Sequence, residues 1–305
     1  MHGRPPLSRQ MPKTCVILNP SAGSVHELDD LVKQIETLPK AEVQMTKKAG
    51  SAARLARAAL RKGCDMIVAA GGDGTLNEVI NGIQENAGDA RVGLIPLGTG
   101  NDFARTIGLP TDLEAALEVL RAGHTQAIDL VRVTSDKVRY FLNVSAGGFS
   151  GLVDEKLTPE MKKTWGPLAY LRSAAAALPE LRAYRTTLAF DNSESMTLDL
   201  YNVVVANGRY VGGGTLIAPE ASVGDGLLDV ILIQKRSAPE LALLIAQVVV
   251  GAHLSSDAIV FRRAAKLTVN SKPGMWFNVD GELVGNEPAR FEILPRALHF
   301  MVPKS

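Results

Sequence analysis

Asp65-Met-Ile-Val-Ala-Ala-Gly-Gly-Asp-Gly-Thr-Leu-Asn-Glu78 is the stretch whose reading decides the fold. Residues 66–70 are apolar and read as a buried parallel strand. The run stops at Gly71, Gly72, Asp73 and Gly74. Thr75 and Glu78 have the spacing of a capping box, so a helix is expected from there to about Gln84. A strand, a glycine turn and a helix N-terminus together hold phosphate. The glycines let backbone N–H groups approach the anion, and the helix end adds partial positive charge. Two familiar nucleotide motifs are absent. No G-x-x-x-x-G-K-[ST] occurs, and Asn77 stands where a dinucleotide fingerprint would have its third glycine. Asp73 inside the turn suggests a metal, or a metal-bound water, beside a polyphosphate. An ordinary strand-to-helix turn is the plainer alternative.

Outward from this stretch, strand and helix alternate. A strand over 13–18 ends in Asn19, Pro20, Ser21, Ala22 and Gly23. Ser24 and Glu27 read as a second capping box, before a helix with Leu28, Leu31, Val32, Ile35 and Leu38 on one face. A strand over 41–46 and a helix over 51–62 follow, the helix with Leu55, Ala59 and Leu60 inward and Gly63 as its stop. Beyond the central stretch come a short strand over 92–96 and a helix capped by Thr111 and Glu114. This is the grammar of a parallel sheet with helices on both faces, a doubly wound α/β domain over 11–131.

Near Thr125 the grammar changes. Residues 126–134 and 138–145 read as strands without a helix between them. A helical stretch over 158–178, interrupted at Gly166-Pro167, comes next. The remainder is mostly strand: 185–190, 196–206, 227–234, 259–262, 266–270, 275–279, 282–284, 290–294 and 298–302. One more helix, capped by Ser237 and Glu240, runs to about His253. Residues 132–305 therefore read as a β-sandwich domain, whose extreme C-terminus could return to the first domain. The cleft between two such domains is the default ligand site.

Bulk properties narrow the function. The 305 residues are 46% hydrophobic and 21% charged, the balance of a globular protein. A formal net charge of +1 gives no reason to expect nucleic acid as a partner. Cys15 and Cys64 are too few for a disulfide framework and fit a reduced cytosolic interior. The N-terminal MHGRPPLSRQ has no apolar core and is not a signal peptide. The longest apolar segment, 241–254, is too short to span a bilayer and is interrupted by Gln247 and His253. This segment, Trp165 and Tyr170 are candidates for touching a membrane, with core packing as the plainer role. No G-x-S-x-G elbow and no metal-ligand spacing of histidines is present.

Four segments, in order, carry a family resemblance: Asn19-Pro-Ser-Ala-Gly23, Gly71-Gly-Asp-Gly-Thr75, Pro96-Leu-Gly-Thr-Gly-Asn-Asp-Phe103 and Asp280-Gly-Glu282. Together they resemble the soluble diacylglycerol-kinase-type lipid kinases, in particular the bacterial YegS/BmrU-type members. The second segment alone would fit NAD kinases and phosphofructokinase-like proteins equally well. The Gly98-Thr-Gly-Asn-Asp-Phe103 run tilts the reading to lipid kinases. The resemblance implies an α/β nucleotide domain followed by a β-sandwich, with ATP along the turns of the first domain. It implies ATP contacts from Asn19, Pro20, Ser21, Ala22 and Gly23, from Thr46, from Gly71, Gly72, Asp73, Gly74, Thr75, Leu76 and Asn77, and from Thr99. Asp73 and Asp102 would sit near a catalytic Mg2+, and Asp129 would join that acidic group. Such a group suits phosphoryl transfer, which is mostly positioning and charge neutralisation.

In the second domain, the loop around Asp225 resembles one where bacterial members bind a structural Mg2+. The resemblance implies Ser222 and Leu227 as carbonyl ligands and Asp225 as a carboxylate ligand. A plain turn before a strand fits Asp225-Gly226 as well. Glu282 is the implied general base, taking the proton of an attacking lipid hydroxyl. Val279-Asp-Gly-Glu-Leu283 also fits a tight hairpin with a solvated Glu. Gly212, Gly213 and Gly214 allow close approach of a substrate, and Arg209 could meet a lipid phosphate or a membrane headgroup; a flexible connector fits this loop at least as well. The partner implied is a lipid at a membrane surface, reached by peripheral contact from the cytoplasmic side. A homodimer is compatible with the resemblance. The rivals are an NAD-kinase-like enzyme of a soluble substrate and a non-catalytic nucleotide- or lipid-sensing protein.

Overall fold

Strands β1 (Thr14–Leu18), β2 (Ala41–Met45), β3 (Met66–Gly71) and β4 (Arg91–Pro96) run parallel in the order β2–β1–β3–β4. The chain is described by a computed structural model over residues 13–23, 25, 27–84, 87–148, 181–191, 195–279, 282–285 and 288–304. Strands β1 and β3 are buried along their whole length. That demands a helical layer on each face of the sheet. The helices are α1 (Leu28–Ile35), α2 (Ser51–Arg61), α3 (Asp73–Ile83), α4 (Asp102–Thr106) and α5 (Leu113–Ala122). Cys15, Ile17, Ile67 and Ala69 pack on α2 and α3, while Val16, Leu18, Val68 and Ala70 pack on α1 and α5. Inside the first layer Cys15 and Cys64 are free and buried. Burial first, and then Cys64 beside it, push the Cys15 thiol up to about 12, so it is inert at neutral pH.

The second half begins with β5 (Thr125–Thr134), β6 (Val138–Phe141), β7 (Val144–Gly148), β8 (Tyr184–Phe190) and β9 (Met196–Ala206). Short β10 (Tyr210–Val211) and β11 (Thr215–Leu216), then β12 (Leu228–Gln234), follow. After α6 (Ala238–Val249) come β13 (Ile259–Ala264), β14 (Lys266–Lys272), β15 (Phe277–Val279), β16 (Glu282–Val284) and β17 (Ala289–Met301). These strands build the β-sandwich around Val203, Val205, Val230, Leu232, Phe277 and Phe291. Phe277 meets Phe291 edge-on with centroids 5.0 Å apart. Alternate residues, such as Val204, Ala206 and Ile231, face Ile217 and Val248 of α6.

Strand β17 links the halves. Its first part pairs with β14, its last with β4 in parallel through His299 and Phe300, and β5 lines it antiparallel. Among the described residues this makes one 15-stranded sheet. The expected strands at 290–294 and 298–302 are therefore one strand. Its register shifts between Leu294 and Leu298, and Arg296 sits there at φ 52°. The reverse holds for 138–145, which is two strands, β6 and β7, because the chain turns at Leu142-Asn143.

Helix starts correct several expectations. Helix α6 has its capping box, with the Ser237 N–H donating to the Glu240 carboxylate at 2.9 Å. Helix α5 is capped by Asp112, not Thr111. Helix α3 begins at Asp73 behind Gly72, ahead of Thr75. Its Glu78 turns outward instead and accepts the N–H groups of Gly50 and Ala52, capping α2. Helix α1 begins at Leu28 behind Glu27; the Ser24 of the expected box lies outside the described residues. The helix expected over 158–178, with Trp165 and Tyr170, lies outside them too. In α2, Ser51, Ala52, Ala56 and Ala59 are buried, whereas Leu55 and Leu60 are only partly so. Leu241 and Leu244 pack inward from α6, but Leu243 and Val250 are 60% and 74% exposed, so core packing accounts for only part of that apolar segment. Among the described residues no helix is long and apolar enough to cross a membrane.

Candidate active site

The strand order places a switch point between β1 and β3, where the chain leaves for opposite sides of the sheet. In open α/β sheets ligands gather at the carboxyl ends of the strands beside such a point. The two loops expected to hold phosphate lie there and are tied together. Asn19 accepts the Ser21 N–H on its Oδ1 at 3.0 Å and donates from Nδ2 to Thr75 Oγ1 at 3.3 Å. Gly71 must lack a side chain, since a Cβ there would lie 2.4 Å from Thr75 Oγ1. The third loop, 97–101, closes against both. A Cβ on Gly23 would strike Thr99, and one on Gly72 would press on Gly98. Thr46 stands at the same carboxyl edge, its N–H donating to Leu18 O at 2.8 Å. Leu76 and Asn77 do not turn to this loop. Leu76 is buried in the core, and Asn77 donates to the Tyr140 carbonyl at 3.1 Å.

Asp73 and Asp102 come together. The Asp73 carboxylate accepts the N–H groups of Asp102 and Phe103, each at 3.1 Å. It therefore caps α4 from outside, which explains how so short a helix is held. Asn101, given no role by the sequence reading, holds the turn before α4 at φ 52° and bonds Gly98 through both its amide ends. A short polar side chain tolerates that left-handed conformation.

Asp102 is buried. Its Oδ2 accepts the Gly213 N–H at 2.9 Å, and its Oδ1 has no hydrogen-bond partner. Arg105 Nη1 is 3.9 Å from that oxygen but is engaged by the Gly100 carbonyl. Burial raises the Asp102 carboxyl above the usual range, the Gly213 N–H pulls it back, and the Asp73 charge raises it again. Gly100, without a side chain, borders both carboxylates: a Cβ on it would lie 3.1 Å from Asp73 Oδ2 and 3.9 Å from Asp102 Oδ2. A buried, unpartnered carboxylate oxygen beside a second carboxylate fits a hard divalent cation.

The second half closes over this spot. Thr106 Oγ1 lies 3.1 Å from the Asp102 carbonyl and 3.3 Å from Asn143 Oδ1, and it accepts the Arg209 N–H at 3.1 Å. Asn143 donates from Nδ2 to the Tyr210 carbonyl at 2.7 Å, and its own carbonyl accepts from Asn207 and Gly208, both at 2.8 Å. One asparagine thus fastens the glycine-rich loop to α4. A Cβ on Gly208 would lie 1.9 Å from Asn143 Oδ1. We expect Gly208→Ala to displace Asn143 and cut kcat/KM about 10²-fold, as a misplacement on the order of 1 Å does. Steady-state rates beside a thermal melt check this; an unchanged kcat/KM would refute the fastening role.

Asp129 does not join the acidic pair. It is fully buried, with Oδ1 accepting the Arg296 N–H at 2.7 Å and Oδ2 the Gly226 N–H at 2.8 Å. The carboxylate holds the irregular point of β17 to the 222–227 loop. In that loop Asp225 Oδ1 accepts the Leu227 N–H at 3.0 Å, the geometry of a turn, and Ser222 is exposed. Among the described residues no group of three or more His, Cys, Asp or Glu side chains could hold a metal. A cation at either place would draw also on backbone carbonyls or on ligands from outside the chain. Glu282 opens β16, with its backbone paired opposite Val279. Asp280 and Gly281, between the strands, lie outside the described residues. Ser145 of β7 joins this hairpin, its hydroxyl donating to the Asn278 carbonyl at 3.0 Å.

Comparison with known proteins adds the following. A family model described as the diacylglycerol kinase catalytic domain matches residues 13–133. A second, the YegS C-terminal NAD kinase beta sandwich-like domain, matches 143–302. The protein of Staphylococcus haemolyticus named diacylglycerol kinase is 32% identical over 293 residues, covering 95% of this chain and 88% of the relative. One of the same name from Staphylococcus aureus is 31% identical over 292 residues, covering 94% and 91%. A crystal structure described as a diacylglycerol kinase from Bacillus anthracis superposes with a TM-score of 0.79 at 22% identity, over 97% of this chain and 99% of the other, a likeness of fold.

Proposed function

Because this chain belongs to the diacylglycerol kinase catalytic-domain family, we propose that it transfers the γ-phosphoryl group of ATP to a lipid hydroxyl, with Mg2+ required. The acceptor is diacylglycerol, phosphatidylglycerol or a related lipid, met at a membrane surface by peripheral contact. One observation carries the reading: Asp102 keeps a buried carboxylate oxygen without a hydrogen-bond partner next to Asp73, between three loops suited to phosphate. Asp73 and Asp102 would hold the metal, which supplies neutralisation of charge on the phosphates. Asn19–Gly23 and Gly71–Thr75 would orient the nucleotide, with backbone N–H groups and the α3 N-terminus facing its phosphates. Glu282 would accept the proton of the attacking hydroxyl. A second, structural Mg2+ would take the carbonyls of Ser222 and Leu227 and a carboxylate oxygen of Asp225.

The test is transfer of labelled γ-phosphate from ATP to lipids in mixed micelles with Mg2+, with NAD as a soluble acceptor. A labelled lipid is expected, with Glu282→Gln losing about 10²-fold or more of the rate. Labelled NADP would move the chain to a soluble substrate. ATP binding without any product would favour a sensor.

A further inference from the structure

Arg209 has a fastened backbone and a guanidinium that, among the described residues, makes no hydrogen bond at Nε and no ion pair. Its N–H donates to Thr106 Oγ1, and its carbonyl accepts from Ile217 and Ala218 at 3.0 and 3.1 Å. The guanidinium lies over the Tyr210 ring, 5.9 Å from the centroid. Its Nε is buried and has no hydrogen-bond partner. Among the described residues no carboxylate lies within ion-pair distance of it. Two other arginines, Arg132 and Arg263, differ. Arg132 pairs with Glu292, and Arg263 pairs with Asp229 at 2.8 Å. A buried donor left unmade costs free energy comparable to a lost hydrogen bond. Nε itself is closed to solvent, so an incoming anion would meet the Nη donors, which no carboxylate among the described residues engages.

Position indicates which anion. Arg209 and Gly213 belong to the same loop; one binds Thr106, the other the Asp102 carboxylate. The guanidinium root is therefore set one turn of α4 from the carboxylate pair. A guanidinium presents a planar fork of donors that matches phosphate oxygens two at a time.

We propose that Arg209 receives a phosphate group entering the cleft, carried either by the headgroup of an acceptor lipid or by the nucleotide. The choice of carrier rests on the lipid-kinase reading; the phosphate site itself does not. Thr106 and Asn143 act as positioning residues for it, holding the loop from which Arg209 projects.

The first probe is inorganic pyrophosphate, titrated calorimetrically into the full chain, its Arg209→Gln variant and its Arg209→Lys variant. Binding is expected to weaken about tenfold or more in R209Q, as for loss of a bidentate charged pair, and to recover partly in R209K. Two further arms name the carrier. Weaker binding of a non-hydrolysable ATP analogue in R209Q assigns the nucleotide. Unchanged analogue binding, with KM raised for phosphatidylglycerol but not for diacylglycerol, assigns the lipid headgroup. Unchanged pyrophosphate binding in R209Q, with a lowered unfolding temperature, would overturn the proposal and leave a stacking residue. Because pyrophosphate binding needs no turnover, absence of lipid phosphorylation would sink the lipid reading without touching this one. Should R209Q fail to fold, R209K carries the test, since it keeps the charge and loses the fork.

Discussion

Asp73→Ala is expected to abolish phosphoryl transfer, a loss of about 10³-fold or more, and to lower stability by about 1 kcal/mol as well. Two roles sit on one side chain. The carboxylate is half of the proposed metal pair, and it also caps α4 through the N–H groups of Asp102 and Phe103. Removing it leaves Asp102 without its neighbouring charge and frees the start of the helix that carries Asp102. Asp73→Asn separates the roles, because an amide oxygen still accepts one N–H but brings no charge. The Asn variant should therefore melt between the parent and the Ala variant and transfer as poorly as the Ala variant. Initial rates of labelled transfer and thermal unfolding measure both. Transfer within tenfold of the parent in either variant would remove Asp73 from the chemistry.

Asp129→Ala is expected to cost about 3 kcal/mol or more of stability. Asp129 is fully buried, its two charge-assisted hydrogen bonds are part-buried, and each satisfies a backbone N–H with a positive φ at its residue, Arg296 at 52° and Gly226 at 76°. Without the carboxylate both donors are orphaned and the unusual backbone at 296 loses its restraint. Asp129→Asn should be intermediate, because its amide meets two donors with one acceptor. Urea unfolding of the two variants tests this. A change below about 0.5 kcal/mol for Asp129→Ala would mean water replaces the carboxylate freely.

Asp129 also shows where sequence reading stops. An acid within Ile-Asp-Leu of a crossover strand has the chemistry of a metal ligand. Its partners lie in a loop nearly a hundred positions away and in a strand more than a hundred and sixty positions away. The alternation of strand and helix up to Gly123 was legible because burial on both sheet faces imposes long apolar strands and amphipathic helices. Cap residues were legible only where the partner is local. Ser237 and Glu240 found each other, whereas Glu78 left its own helix for α2 because two free N–H groups were within reach. Likewise Pro295-Arg296-Ala297 reads as a break between strands, yet β17 passes through it with a shifted register. Asp73 and Asp102 were found by motif; the asparagine that latches the loop over them, Asn143, had no local signal at all.

The last strand has a consequence for synthesis. A ribosome releases β1 to β4 long before β17 exists, yet β17 supplies the outer neighbour of β4. Until β17 emerges, that edge bears unsatisfied N–H and C=O groups, a template for pairing with the wrong chain. The N-terminal half therefore completes its sheet only after β17 has been made, and pairing across such sequence distance is slow. Removing residues 298–301 would damage the half of the molecule that was made first, because that part of β17 is what pairs with β4.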